Sequence, residues 1–170
     1  MEARRRIADS PFFLAAAVFA ACFTCLVASA SKPDGARALS GTWEFDAKQS
    51  SFVGAIPYRS GTYTFSNVPD GIHVTAHIIE GTNQVLHFEY TDQLQGTFSP
   101  VRGNPFYDSQ STVWTGPRIA TRTERRAGQV TGVTTMTVAV DGKSYTADAR
   151  RTLPNGRVYT STIVWNRLND

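Results

Sequence analysis

The chain has 170 residues, 17 Lys and Arg against 14 Asp and Glu, and two cysteines. That length suits one domain, and so few cysteines exclude a disulfide-dense scaffold. The charge balance excludes the strongly basic composition of a nucleic-acid binder.

Residues 1–30 differ in kind from the remainder of the chain. Arg4, Arg5 and Arg6 form a basic start, residues 12–28 are almost unbroken apolar sequence, and Ala28-Ser29-Ala30 offers the small side chains at which a signal peptidase cuts. We read a signal peptide over 1–30, cleaved after Ala30, with export to the periplasm or the medium. A retained anchor is the competing reading, because the apolar run approaches the roughly 18 residues of a spanning helix. The small residues at its end favour removal, which leaves no membrane span in the mature chain. Cys22 and Cys25 lie inside the removed segment. The mature chain therefore has no disulfide, no thiolate nucleophile and no Cys-ligated metal. Removal also takes Glu2, Asp9 and the three arginines, leaving 14 basic against 12 acidic side chains, close to neutral.

Residues 31–38, with Pro33 and Gly35, read as a disordered lead, and 39–168 as the domain. From Leu39 onward, short stretches rich in Thr, Val, Tyr and Ile alternate with turn signals at Pro69-Asp70-Gly71, Gly81-Thr82-Asn83, Gly116-Pro117, Ala127-Gly128, Asp141-Gly142 and Pro154-Asn155-Gly156. Asp-Gly and Asn-Gly mark hairpins because Gly adopts the positive φ that tight turns require. This punctuation predicts nine strands, over 41–46, 61–68, 72–80, 84–92, 109–115, 118–125, 129–140, 143–152 and 157–167. The expected fold is all-β, an antiparallel up-and-down barrel of eight to nine strands, since closure removes the two exposed edges of such a meander.

Side chains alternate faces with period two, so each turn implies a register. A three-residue loop over 81–83 sets Ile78 opposite Leu86, Ala76 opposite Phe88 and Val74 opposite Tyr90. The Asp141-Gly142 turn sets Val138 opposite Tyr145 and Met136 opposite Ala147. For the last hairpin two registers stay open, pairing Ala147 with Val164 or with Trp165. The same logic puts His77 opposite His87, near Glu89, on the face shared with His73, Thr75 and Thr91. Two imidazoles and a carboxylate suit zinc or haem iron, but that face is the solvent face, and no metal or cofactor is assigned. The arginines at 118, 122, 125 and 126, interrupted by Glu124, read as a solvated strand end. Residues 92–108, with Pro100, Gly103 and Pro105, form the longest stretch without strand character. They suit either a lid carrying Phe98, Phe106 and Tyr107 or a loop that closes a gap in the barrel.

Gly41-Thr42-Trp43 on the first strand resembles the Gly-x-Trp signature of lipocalins and the wider calycin superfamily. The run 39–46 with Lys48 and Ser50, the segment 100–105 leading to Asp108, Asp141-Gly142-Lys143 and the basic end at Arg167 are similar to an uncharacterised family of secreted bacterial lipocalin-like proteins. The resemblance implies a barrel whose closed end carries Trp43 beneath Arg167, stacked through cation–π attraction.

No Gly-x-Ser-x-Gly elbow, His-Glu-x-x-His, Walker loop or dinucleotide fingerprint occurs. Glu89, Asp92 and Asp108 read as polar rim positions, and the protein is not read as an enzyme. The expected function is an exported binding protein for a small apolar or amphipathic ligand, held among Tyr63, Phe65, Phe88, Tyr90, Met136 and Tyr145. The alternative is a barrel filled by its own side chains, acting as an envelope-associated interaction or inhibitor module. A metal, haem or catalytic barrel ranks below both. Nucleic acid is excluded as a partner, and the oligomeric state is left open.

Overall fold

The computed structural model describes residues 34–153 and 155–168. The signal segment, its cleavage site and the anchor alternative lie outside the described residues. A short helix α1 (Asp34–Leu39) precedes ten strands: β1 (Gly41–Val53), β2 (Tyr58–Val68), β3 (Gly71–Glu80), β4 (Val85–Asp92), β5 (Ser99–Pro100), β6 (Ser109–Gly116), β7 (Ile119–Arg126), β8 (Gln129–Val138), β9 (Ser144–Thr152) and β10 (Val158–Arg167).

Neighbours pair antiparallel in the order β4-β3-β2-β1-β10-β9-β8-β7-β6-β5, so β1 meets β10 and the row has β4 and β5 at its ends. Those ends are joined through the loop between β4 and β6. Ser99 and Pro100 pair with Gln110 and Ser109 of β6, and Arg102 exchanges two backbone hydrogen bonds of 3.0 Å with Glu89 of β4. The sheet closes into a barrel, and the loop is the staple across its gap. The expectation of eight to nine strands is corrected to ten, because β5 is a two-residue strand inside the stretch read as strandless. Pro100 hides that strand from sequence reading, since it supplies no ladder N–H.

The hairpin registers obey parity. Ile78 lies opposite Leu86, Ala76 opposite Phe88 and Val74 opposite Tyr90, while Met136 faces Ala147 and Val138 faces Tyr145. The last hairpin takes neither expected register: Ala147 pairs with Ile163. Leu153 N–H donates to Arg157 C=O at 2.8 Å, so the loop has three residues and is centred on Asn155, one position earlier than expected. Gly156, at φ +80°, supplies its left-handed residue.

At one end the barrel is sealed. Trp43 is fully buried and its indole N–H donates to Leu39 C=O at 2.8 Å. The Arg167 guanidinium carbon lies 4.1 Å from the Trp43 ring centroid. Arg167 also donates from Nε to Gly142 C=O at 2.8 Å, from Nη2 to Ala38 C=O at 2.6 Å and from Nη1 to Ser40 C=O. These bonds tie helix, first strand, last strand and the β8–β9 turn together. Gly41 sits at φ +117°, and a Cβ there would fall 2.7 Å from Arg167 Nη1, so both backbone and space demand glycine. Helix α1 takes in residues 34–38, expected within a disordered lead, and is anchored by the buried Leu39 side chain and by these carbonyl contacts. Behind the seal, Tyr145 stacks on Trp165 at 6.1 Å and meets Trp43 edge-on at 4.9 Å.

The motif residues after Trp43 shape a bulge in β1. Pairing with β10 shifts between Asp46 and Ser51. Asp46 accepts from the amides of Lys48 and Gln49 at 2.9 and 3.1 Å, and Ser50 Oγ donates to Asp46 C=O at 2.6 Å. Hydrogen bonds to the carboxylate, led by that of the Gln49 side chain, hold the Asp46 carboxyl below its usual range.

Candidate functional site

Inward-facing residues form rows around the barrel. One row runs Thr112, Arg122, Thr134, Ala149 and Ser161, and the next, toward the unsealed end, runs Gln110, Glu124, Gly132, Arg151 and Tyr159. Of the arginines expected at a solvated strand end, Arg118 and Arg126 are exposed and Arg125 is half-buried, but Arg122 is enclosed. Arg122 and Glu124 are buried, Glu124 completely, because β7 turns alternate residues inward and these two share parity with the buried Ala120.

Charge burial is offset here by pairing at Glu124, while Arg122 Nε, Gln110 Oε1 and Thr134 Oγ1 have no hydrogen-bond partner among the described residues. Glu124 receives Arg151 Nε at 2.6 Å and Nη2 at 2.7 Å, a two-pronged contact, and Arg122 Nη2 at 3.0 Å. Burial pushes the Glu124 carboxyl up, but the Arg151 and Arg122 guanidiniums more than offset this and leave it below the usual carboxylate range. Glu124 and Arg151 reach each other across β8 only because Gly132 lies between them. A Cβ at Gly132 would stand 2.5 Å from Glu124 Oε2 and 2.9 Å from Arg151 Cγ. Asp92, expected at the rim, is also buried; it accepts from Gln110 Nε2 and the Leu94 amide, each at 2.7 Å. It does not join Glu89 or Asp108: Glu89 falls on the opposite face of β4, and Asp108 accepts from the Ala127 amide at 2.7 Å.

Beyond the ionic row the barrel opens. A cleft of about 300 Å³ lies among the loops following β1, β3, β5 and β9. Its apolar wall includes Phe52, Tyr63, Leu86, Phe88 and Phe106, and its polar groups include Tyr58, Glu80, Tyr107, Arg151 and Tyr159. The Tyr107 hydroxyl is buried without a hydrogen-bond partner among the described residues. Glu80 is 5% exposed, and burial alone raises its pKa above the usual carboxylate range. The loop between β4 and β6 thus serves both roles considered for it: β5 closes the gap, while Phe106 and Tyr107 line the cleft. Phe98 does not line it, and lies under the Arg125 guanidinium at 3.6 Å.

Of the six residues expected to hold a ligand, Tyr63 and Phe88 line this cleft. Met136 and Tyr145 border a separate void of only about 20 Å³, and Phe65 and Tyr90 are packed in the core. The lumen is filled by side chains at the sealed end and vacant at the mouth. Glu80 and Arg151 escape sequence reading, although each shares parity with apolar residues assigned inward: Ile78 for the first, Tyr145 and Ala147 for the second. Hydrophobicity selects the inner face in a sequence, and a charged residue at a strand end then reads as rim.

On the outer face, His77 and His87 are exposed, with ring centroids 6.2 Å apart. Among the described residues no group of three His, Cys, Asp or Glu side chains is placed to hold a metal ion. No helix among them is long and apolar enough to cross a membrane.

Fold and site together define an antiparallel β-barrel sealed at one end, with a cleft at the other. No protein-family model and no curated protein sequence matches the chain. Among solved structures it is similar to zebrafish ileal bile acid-binding protein complexed with cholic acid, at 13% identity and TM-score 0.46 over 77% of this chain and 99% of that one. It is similar to the redesigned beta barrel mFAP1 bound to DFHBI, at 13% identity and TM-score 0.43 over 79% and 99%. A third likeness is to the siderocalin Ex-FABP, at 8% identity and TM-score 0.35 over 77% and 71%.

Proposed function

We propose that this protein is an exported binding protein that holds one small amphipathic molecule in the cleft at the barrel mouth. The cleft itself carries the reading. Its volume of about 300 Å³ stands at the lower end of the roughly 300–1,000 Å³ of small-molecule sites, and its lining of rings with a few convergent polar groups has their usual chemistry. The buried charges suit binding, because Glu124 and Arg151 are locked to each other beneath the cleft. Export rests on the N-terminal sequence.

Titrating the purified protein with N-phenyl-1-naphthylamine, a neutral apolar fluorophore, tests the site. We expect saturable binding of one molecule per chain, abolished by Ala55→Trp, which fills the mouth from the β1–β2 loop without touching a strand. Binding that survives Ala55→Trp at full affinity would place the ligand elsewhere. Intact mass of the protein recovered from its own host tests export: the mature chain should begin at Ser31, and a chain retaining residues 1–30 would contradict it.

A further inference from the structure

We propose that Glu80 selects the ligand, and that the ligand's polar end is a protonated amine. This rests on the cleft-binding reading and adds the chemistry of the occupant.

Glu80 is buried as a residue and lines the cleft, and its carboxylate opens onto that cleft with no hydrogen bond or ion pair among the described residues. Its placement is set by the sheet: Glu80 is the register partner of Tyr58, and its amide donates to Gln84 C=O at 2.9 Å as the chain enters the β3–β4 turn. A desolvated carboxylate without a donor is costly, and a cation brought by the occupant recovers that cost. The cations already present do not serve. Arg151 commits Nε and Nη2 to Glu124, and Arg157, which also borders the cleft, is exposed to the water that screens it.

The rest of the lining fits the same occupant. Tyr58, Tyr63, Phe88, Phe106, Tyr107 and Tyr159 contribute six rings to the cleft, and ring faces attract a desolvated ammonium group within about 6 Å. One carboxylate among aromatic rings is the donor set of an amine site. An acid-headed ligand would meet Glu80 with like charge, and of the two arginines on the lining Arg151 gives Nε and Nη2 to Glu124 while Arg157 is exposed to solvent.

Three compounds of one shape, 2-phenylethylamine, 2-phenylethanol and phenylacetate, isolate the polar end when each competes with N-phenyl-1-naphthylamine for the wild-type protein. We expect the amine to displace the fluorophore at a concentration at least tenfold below that of the alcohol, with phenylacetate weakest. Glu80→Gln should erase the amine's advantage over the alcohol, whereas Glu80→Asp, which keeps the charge, should retain part of it. Equal affinity for all three compounds, tightest binding of phenylacetate, or an amine preference that persists in Glu80→Gln would overturn the selection role while leaving the cleft as a binding site. Absence of any fluorophore binding would overturn the cleft reading and this inference together.

Discussion

The two walls of the lumen are built on different principles. On β2, β3 and β4 the inward positions are apolar almost throughout, from Tyr63 and Phe65 through Val74, Ala76 and Ile78 to Leu86 and Phe88. On β6 and β7 polar groups predominate, with Gln110, Thr112, Arg122 and Glu124 buried beside Ala120. The first wall is stabilised by removing apolar area from water, at about 25 cal/mol per Å², and tolerates conservative change. The second is a network in which every member depends on its partners. A barrel can thus be held closed by oil on one side and by paired charge on the other.

The polar wall should fail most severely at Glu124. Glu124→Ala leaves two buried guanidiniums without their acceptor and should cost about 3–5 kcal/mol, measured by urea unfolding. Replacing the whole triad, Arg122→Met, Glu124→Leu and Arg151→Met together, should cost far less than that single change, because no unpaired charge remains. Gly132→Ala should cost about 1–3 kcal/mol by forcing Glu124 and Arg151 apart. On the apolar wall Ile78→Val should cost about 0.5–1.5 kcal/mol, so the two walls should separate clearly in one mutant series.

Acid separates them further. The Glu124 carboxyl titrates below its ordinary value of 4.5 in the folded chain, so its stabilisation is complete above that value and lost as pH falls through the lower folded one. A stability profile of wild type against the apolar triad should diverge only on the acid side, with the triad variant flatter. Glu80 has the opposite sign. Its carboxyl is raised, so the folded state holds its proton longer than the unfolded chain, and stability is lost as pH rises through the unfolded value toward the folded one. Glu80→Gln should therefore raise the melting temperature of the unliganded protein slightly at neutral pH, as expected for a residue that serves binding at the expense of stability.

The apolar wall is legible in the sequence because alternation and turn spacing agree there: the hairpin around residues 81–83 places every partner from Val74–Tyr90 to Ile78–Leu86. The polar wall is not. In Ala120-Thr121-Arg122-Thr123-Glu124-Arg125 both faces are polar, so hydrophobicity cannot choose the inner one, and the arginines read as solvated when Arg122 is enclosed. Gly132 gives no sign of its role, which exists only because β7 and β9 must touch across β8. The cleft is half visible: parity finds Tyr63 and Phe88, and the length of their loop points to Phe106 and Tyr107. Glu80, Arg151 and Tyr159 stay hidden because charged and turn-adjacent residues are ordinarily exposed, and because the three-residue loop before β10 moves its register by one.

The most direct test of a lumen filled at one end and vacant at the other is a crystal structure of the protein soaked with N-phenyl-1-naphthylamine. Difference density is expected at the mouth, between Leu86 and Tyr159 and short of the Glu124–Arg151 pair, with Trp43, Tyr145 and Trp165 unmoved. Density among those three rings at the sealed end, or a ligand displacing the Arg151–Glu124 contact to reach them, would contradict it.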